Sequence, residues 1–126
     1  MVDKHSSRII CTAFSRGGQH DFKLFKHSQI QLPERIKAVV DSGYLGIKAL
    51  HANSELLKKK SKLHSLTKQD KRANRELASL RVLNEHVIGR IKRFKIISCK
   101  YRNRRRRFGL RFNLICAIHN LNLEGF

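Results

Sequence analysis

Two acidic side chains have sequence neighbours that suit metal-ion and phosphate chemistry. The first, Glu85, lies deep in residues 67–94, where apolar side chains recur with the 3.6-residue period of a long helix. It falls off the apolar stripe of that helix, beside Ala78 and Gly89 and among basic residues. Small neighbours leave room for a ligand, so this position suits a metal ion together with an anion. The alternative is an ordinary ion pair between Glu85 and Arg81, four residues earlier.

The second acid, Asp41, directly follows residues 35–40, an apolar segment after Pro33 that predicts a short strand. A turn bearing Gly43 comes next. In mixed α/β proteins ligands collect at the carboxyl ends of strands, which makes Asp41 a candidate site residue. The alternative is that Asp41 caps a short helix over residues 44–51.

The elements that must position these acids are short in the first half of the chain. Residues 8–14 are rich in β-branched side chains and predict a strand, and residues 55–57 predict another. Asp21 is interpreted as the N-cap of a short helix over residues 21–28. Together these patterns predict an α/β fold in one domain that spans residues 1–126.

Two long helices dominate the second half. Thr67 and Asp70 form a helix-start box before the first of them. The stripe predicted to face the core consists of Leu77, Leu80, Asn84, Val87, Ile88 and Ile91. The second helix, within residues 101–123, is apolar on so much of its surface that it should be largely buried. Residues 94–98 either extend the first helix or form a packing segment.

Charge is the strongest compositional signal. The net charge of +19 and the pI near 10.9 argue for a polyanionic partner, nucleic acid first among them. Residues 54–126 carry 20 Lys and Arg against 5 Asp and Glu, so most of the excess lies there. Four consecutive arginines, residues 104–107, precede the second helix, where cations repel one another and oppose the helix dipole. Nearby phosphates would offset that cost, although a solvated charged face is the alternative.

The sequence also bears on location and cysteine chemistry. It contains no apolar run of membrane-spanning length and no secretory h-region, so we expect a soluble intracellular protein with no membrane partner. Cys11, Cys99 and Cys116 are odd in number and widely spaced, which favours neither a zinc site nor a redox pair. They are interpreted as buried or half-buried free thiols.

Four segments in this order resemble the C-terminal part of bacterial insertion-sequence transposases of the DDE superfamily. They read HDFKLFKHS, VVDSGYLGI, LTKQDKRANRELASLRVLNEHVIGRIKRFKII and YRNRRRRFGLRFNLICAIHN. The resemblance covers essentially the whole chain. Its most specific parts are the Asp-Ser-Gly-Tyr turn at Asp41 and the helix containing Asn84, Glu85 and His86.

This resemblance implies a ribonuclease-H-like fold, here partial because it lacks its first strand, with long C-terminal helices. In the family two Asp and one Glu hold two divalent ions, Mg²⁺ or Mn²⁺, for DNA cleavage and strand transfer. Asp41 matches the second Asp and Glu85 matches the Glu. The implied partner is DNA, both transposon ends and target, in the bacterial cytoplasm at the nucleoid.

Basic residues outside the carboxylate site are expected to contact DNA phosphates without reading sequence. They are Lys58, Lys59, Lys60, Lys92, Arg93, Arg104, Arg105, Arg106 and Arg107.

The family's first Asp lies upstream of the segment matched here, and Asp3 does not match it. We therefore expect a truncated transposase that cleaves DNA little or not at all alone, because two-metal chemistry needs both ions held firmly. An upstream transposase polypeptide would supply the missing ligand, and a homo-oligomer is a further expected partner. The alternative is a non-catalytic basic nucleic-acid-binding protein.

Overall fold

The structure, a computed structural model, describes residues 1–15, 17–102 and 105–125. It is of mixed α/β type. Its elements are α1 (Asp21–His27), β1 (Ala38–Val40), a 3₁₀ helix (Ile47–Ala49), β2 (Ser54–Leu56), α2 (Lys68–Ile91), α3 (Lys95–Ser98), a second 3₁₀ helix (Arg105–Arg107) and α4 (Phe108–Leu123). The chain divides into two compact units: a terminal unit of Met1–Phe14 with Arg81–Phe126, and a middle unit of Ser15–Leu80.

The middle unit contains a two-stranded parallel sheet. β1 pairs with β2 in the register Ala38↔Ser54, Val39↔Glu55 and Val40↔Leu56. Both strands were predicted from sequence, and each is three residues long. An ion pair of 2.7 Å between Lys37 Nζ and Glu55 Oε1 joins the strands at their surface. Parallel strands need a long crossover, and residues 41–53 provide it.

The core of the middle unit forms under this crossover. Ile47 begins the 3₁₀ helix and is only 1% exposed. His51 is buried, with Nε2 lying 2.6 Å from the carbonyl oxygen of Ile36. The side-chain amide of Asn53 donates to the carbonyl of Glu34 at 3.1 Å. These contacts tie the residues just before β1 to the residues just before β2, so the start of β1 is fixed.

The start of α2 is stabilised as the sequence predicted. The amide of Asp70 donates to Thr67 Oγ1 at 3.1 Å, and the amide of Thr67 donates to Asp70 Oδ2 at 3.2 Å. Lys58 ties the preceding loop to the helix through an ion pair of 2.5 Å with Asp70 and two hydrogen bonds of 2.9 Å between its backbone and the Asn74 amide. Hydrogen bonds from Lys58 and Thr67 hold the pKa of Asp70 below its usual 3.8. The stabilisation from this carboxylate is therefore present above pH 3.8 and lost as the pH falls through the lowered pKa.

Replacing Thr67 with Ala is expected to lower the free energy of unfolding by about 1 kcal/mol, because the amide of Asp70 loses its acceptor. The matched control is Ser65→Ala, which removes an exposed hydroxyl just before the helix. Urea denaturation followed by circular dichroism at 222 nm measures both. An equal effect of the two substitutions would contradict the capping role.

The terminal unit joins the first residues of the chain to α4. Residues 8–14 do not form the predicted strand; Ile9 makes an isolated antiparallel bridge to Val2. The side chain of Asn120 accepts the amide hydrogen of Ile9 at 2.8 Å and donates to its carbonyl at 2.9 Å. Because the Asn120 side chain pairs with both backbone hydrogen-bonding groups of Ile9, these groups need no neighbouring strand as a partner.

Aromatic packing continues this contact. The Phe14 ring lies edge-on between Phe108 and Phe112, with centroids 6.0 and 5.2 Å away. A Cβ on Gly109 would lie 3.4 Å from that ring, so a residue without a side chain suits this position.

The predicted core stripe of α2 is largely confirmed. Leu77, Val87 and Ile91 are buried and Leu80 is half-buried, whereas Asn84 and Ile88 are exposed. Residues 94–98, undecided from sequence, form the short helix α3 at Lys95–Ser98.

The prediction that the last helix is largely buried is wrong. In α4 only Ile115, Cys116 and His119 are buried. The helix leaves Leu110, Leu114, Ile118 and Leu121 exposed, with Leu110 at 73%. Apolar composition predicted burial, but it did not say which side of the helix a neighbour covers.

The cysteine interpretation is confirmed in part. Burial raises the pKa of the Cys116 thiol above its usual value, and Cys11 is half-buried. Cys99 is exposed, contrary to the prediction, because it directly follows the short surface helix α3.

Candidate functional site

Asp41 occupies the carboxyl end of β1, the position that the sequence predicted. Its Oδ1 accepts the amide hydrogen of Ser42 at 2.6 Å, and its carbonyl accepts from Tyr44 at 3.0 Å. The following 3₁₀ helix has Gly46 as its N-cap, so Asp41 does not cap it. The side chain is instead oriented by its own turn and is exposed.

Helix α1 supports this turn through aromatic contacts. The Tyr44 ring packs edge-on against Phe22 and Phe25, with centroids 5.8 and 6.1 Å apart. Phe22 also lies against Gly46, which has a φ of 93° that favours glycine. A Cβ on Gly43 would lie 3.7 Å from the His20 ring. The turn after β1 is thus held in place by one face of α1.

Two carboxylates, those of Asp21 and Asp41, act on the Tyr44 hydroxyl at this turn. Burial, followed by the carboxylates of Asp21 and then Asp41, raises the pKa of Tyr44 above its usual 10.0. Asp21 is not the N-cap of α1, contrary to the prediction, because His20 Nδ1 accepts the amide hydrogen of Phe22 at 3.3 Å.

Glu85 lies exposed on α2. The ion pairs found among the described residues, Arg8–Glu124, Lys37–Glu55, Lys58–Asp70 and Arg72–Glu76, do not include Glu85. A Cβ on Gly89 would meet nothing within 4 Å beyond the helix's own backbone. The space that the sequence suggested beside Glu85 is therefore open.

The oxygen donors of Asp41 and Glu85 are of the kind that Mg²⁺ and Mn²⁺ prefer. Within the described part of the chain, no three His, Cys, Asp or Glu residues are grouped closely enough to hold a metal ion by themselves. A site built on these residues would need further oxygen ligands, from water, phosphate or another polypeptide.

The predicted phosphate contacts differ in their surroundings. Lys58 is engaged with Asp70, which partly neutralises its charge. Arg104 lies outside the described residues, and Arg105 belongs to a 3₁₀ helix. The remaining predicted contacts present exposed side chains to solvent, namely Lys59, Lys60, Lys92, Arg93, Arg106 and Arg107.

One group of cations was missed by the sequence analysis. Lys68, Lys71, Arg72 and Arg75 line a shallow hollow of about 350 Å³ on α2, and we call them the α2 cationic stripe. Their spacing of three and four residues was the available signal, because it places side chains on one helix face. The sequence analysis instead selected contiguous runs of lysine and arginine as DNA contacts. The structure also contains, over its described residues, no helix long and apolar enough to cross a membrane.

Asp41 ends a strand and Glu85 lies on a long helix, in a strongly basic chain. The family described as Transposase DDE domain matches residues 1–121, and the chain belongs to this family.

Among curated proteins, the chain is similar to a probable transposase for insertion sequence element IS702 from Microchaete diplosiphon. The two are 47% identical over 123 residues, which is 98% of this chain and 45% of that protein. The chain thus spans a little under half the length of this relative. No solved structure matches.

Proposed function

We propose that this chain is part of the catalytic domain of an insertion-sequence transposase that cleaves DNA and transfers its strands by two-metal-ion chemistry. The observation that carries the proposal is the family match over residues 1–121, in a chain with Asp41 at the end of β1 and Glu85 on α2. The name of the relative from Microchaete diplosiphon, a probable transposase, agrees with it.

The proposed fold of the complete domain is ribonuclease-H-like. A parallel sheet of two three-residue strands is too small to be stable by itself, and all three residues of β1 are half-exposed. Further strands beside β1 and β2 would cover these residues. The relative from Microchaete diplosiphon is longer than this chain, which leaves room for such strands in that protein.

In the proposed site Asp41 and Glu85 bind divalent metal through carboxylate oxygens. The bound ions, Mg²⁺ or Mn²⁺, would activate the attacking oxygen and stabilise the leaving oxygen of an in-line displacement at phosphorus. The Ser42 amide fixes one Asp41 oxygen, which limits rotation of the carboxylate before metal arrives. Glu85, which is exposed and beside the open space at Gly89, can approach a ligand without displacing a side chain.

Exposed basic residues would hold the DNA backbone near these acids. Lys59, Lys60, Lys92 and Arg93 can neutralise phosphates irrespective of base sequence. Their contribution should weaken as salt rises, because neutralised phosphates release counterions.

The proposal requires a further carboxylate, because the resemblance implies that the family's first Asp lies upstream of the segment matched here. A polypeptide that carries that Asp should therefore be needed for cleavage. We expect no nicking of supercoiled plasmid by the chain alone with Mg²⁺ or Mn²⁺, and nicking when it is mixed with the remaining part of a transposase of this family. The conversion of supercoiled to open-circular DNA on agarose gels measures the reaction.

The controls for this experiment are each polypeptide alone and the mixture with EDTA. Strong nicking by the chain alone, abolished by Asp41→Ala, would show that the expected defect is wrong. Salt-sensitive DNA binding without nicking in the metal-containing mixture would instead favour the non-catalytic binding protein.

A further inference from the structure

The α2 cationic stripe lies on the side of the helix opposite to the one that contacts the loop at Lys58. Successive helix residues are about 100° apart, so Lys68, Lys71, Arg72 and Arg75 fall within about 100° of the helix surface. Asp70 and Asn74, on the opposite side, bind the loop at Lys58. The four cations are exposed because their helix is anchored through its opposite face.

Little in the middle unit neutralises this stripe. Its closest carboxylate contact in the described chain is Glu76 Oε1, 3.9 Å from Arg72 Nε, and both side chains are highly exposed. A pair this long and this solvated contributes little. Asp70, the acid in the first turn, is engaged by Lys58 on the other face. Lys68 and Lys71 near the helix start also oppose the helix dipole, which favours anions there.

We propose that the α2 cationic stripe binds the phosphate backbone of double-stranded DNA, as a contact surface additional to the DNA contacts predicted from sequence. The inference rests on the proposed function for its ligand, DNA. From Lys68 to Arg75 the helix rises about 10 Å, and one DNA strand presents about three phosphates over that length of its axis. Four exposed cations around a hollow of about 350 Å³ can follow such a row of phosphates.

The stripe binds DNA without reading its sequence. Two lysines and two arginines on a hollow lined by no other residue offer donors and positive charge, and phosphate oxygens accept both. Its contribution to binding is therefore the same for unrelated duplexes of equal length, and it depends steeply on salt.

The test compares two quadruple variants that remove the same charge. The stripe variant is Lys68→Gln, Lys71→Gln, Arg72→Gln and Arg75→Gln; the control changes the exposed lysines Lys4, Lys23, Lys48 and Lys95 to Gln. Fluorescence anisotropy with a labelled duplex, in EDTA over a range of NaCl, gives Kd and its salt slope. EDTA excludes metal-dependent chemistry, so failure here is distinguishable from failure of the proposed function.

For the stripe variant we expect Kd to rise about 10- to 100-fold near 0.2 M salt and the salt slope to fall by about 2 to 3. The Kd of the control should rise much less, with a nearly unchanged salt slope. The charge-retaining double variant Lys68→Arg with Lys71→Arg should bind DNA as tightly as the original chain does. Equal weakening in the stripe variant and the control would overturn the proposal, since it would reflect overall charge alone.

A measurement on the unaltered chain keeps the test decisive if the stripe variant does not fold. Lysine acetylation is followed by mass spectrometry with and without the same duplex. Lys68 and Lys71 should be protected several-fold by DNA, while Lys23 and Lys48 should not. Equal modification of Lys68 and Lys71 in the presence and absence of DNA would overturn the proposal.

Discussion

Replacing Asp41 with Asn, or Glu85 with Gln, is expected to lower metal-dependent DNA nicking by about 10²-fold or more when the chain is combined with the polypeptide that carries the first Asp. Loss of a residue that only supports a metal ligand already lowers metal affinity or activity by about 10- to 100-fold. Loss of the ligand itself should lower activity at least as much. Both substitutions keep the size of the side chain and remove its negative charge. Initial nicking rates at saturating Mg²⁺, with DNA affinity measured in parallel, give the result.

Each substitution has a matched control nearby. Asp21→Asn removes the other carboxylate that acts on Tyr44, and Glu76→Gln removes an exposed acid from the same helix as Glu85. Both controls should change the rate by no more than about threefold, as surface substitutions do. A rate that survives Asp41→Asn or Glu85→Gln would mean that other groups hold the metal, and the site assignment would have to be abandoned.

The second large effect is expected from Ile47→Ala, which should reduce the free energy of unfolding by about 2–5 kcal/mol. Ile47 is 1% exposed and is the largest fully buried side chain in the described structure. Its truncation removes apolar contacts and leaves a cavity under the crossover that joins β1 to β2. Urea denaturation at 25 °C, followed by circular dichroism, measures the loss.

Leu45→Ala is the control for Ile47, because it truncates a side chain of equal size two residues earlier that is 70% exposed. It should change stability by no more than about 0.5 kcal/mol. Similar losses from the two substitutions would indicate that Ile47 does not form the core of the middle unit.

The parts of the fold that sequence predicted well depend on neighbours along the chain. The start of α2 is set by Thr67 and Asp70, three residues apart, and its buried positions follow the helical period. β1 was predicted from residues 35–40, and the position of Asp41 at its end follows directly. Local spacing was sufficient for these features because the interactions themselves are local.

The predictions that failed depend on distant neighbours. Residues 8–14 have strand-forming composition, yet the Asn120 side chain pairs with the backbone amide and carbonyl of Ile9. The sequence around Ile9 cannot predict so distant a partner. The exposed side of α4 is as apolar as its buried side, so composition could not tell them apart. Asp21 was expected to cap α1, but His20 stands one residue earlier and provides the acceptor.

The tie between the start of the chain and α4 has a consequence for the order of folding. Ser7, Ile9 and Arg8 contact His119, Asn120 and Glu124, partners that lie 111 to 116 residues further along. The middle unit closes through much shorter loops, such as the one between Lys58 and Asn74, which are 16 positions apart. Contacts across longer loops form later, because closing them costs more entropy. During synthesis these contacts of Ser7, Arg8 and Ile9 can therefore form only after the last helix has been made.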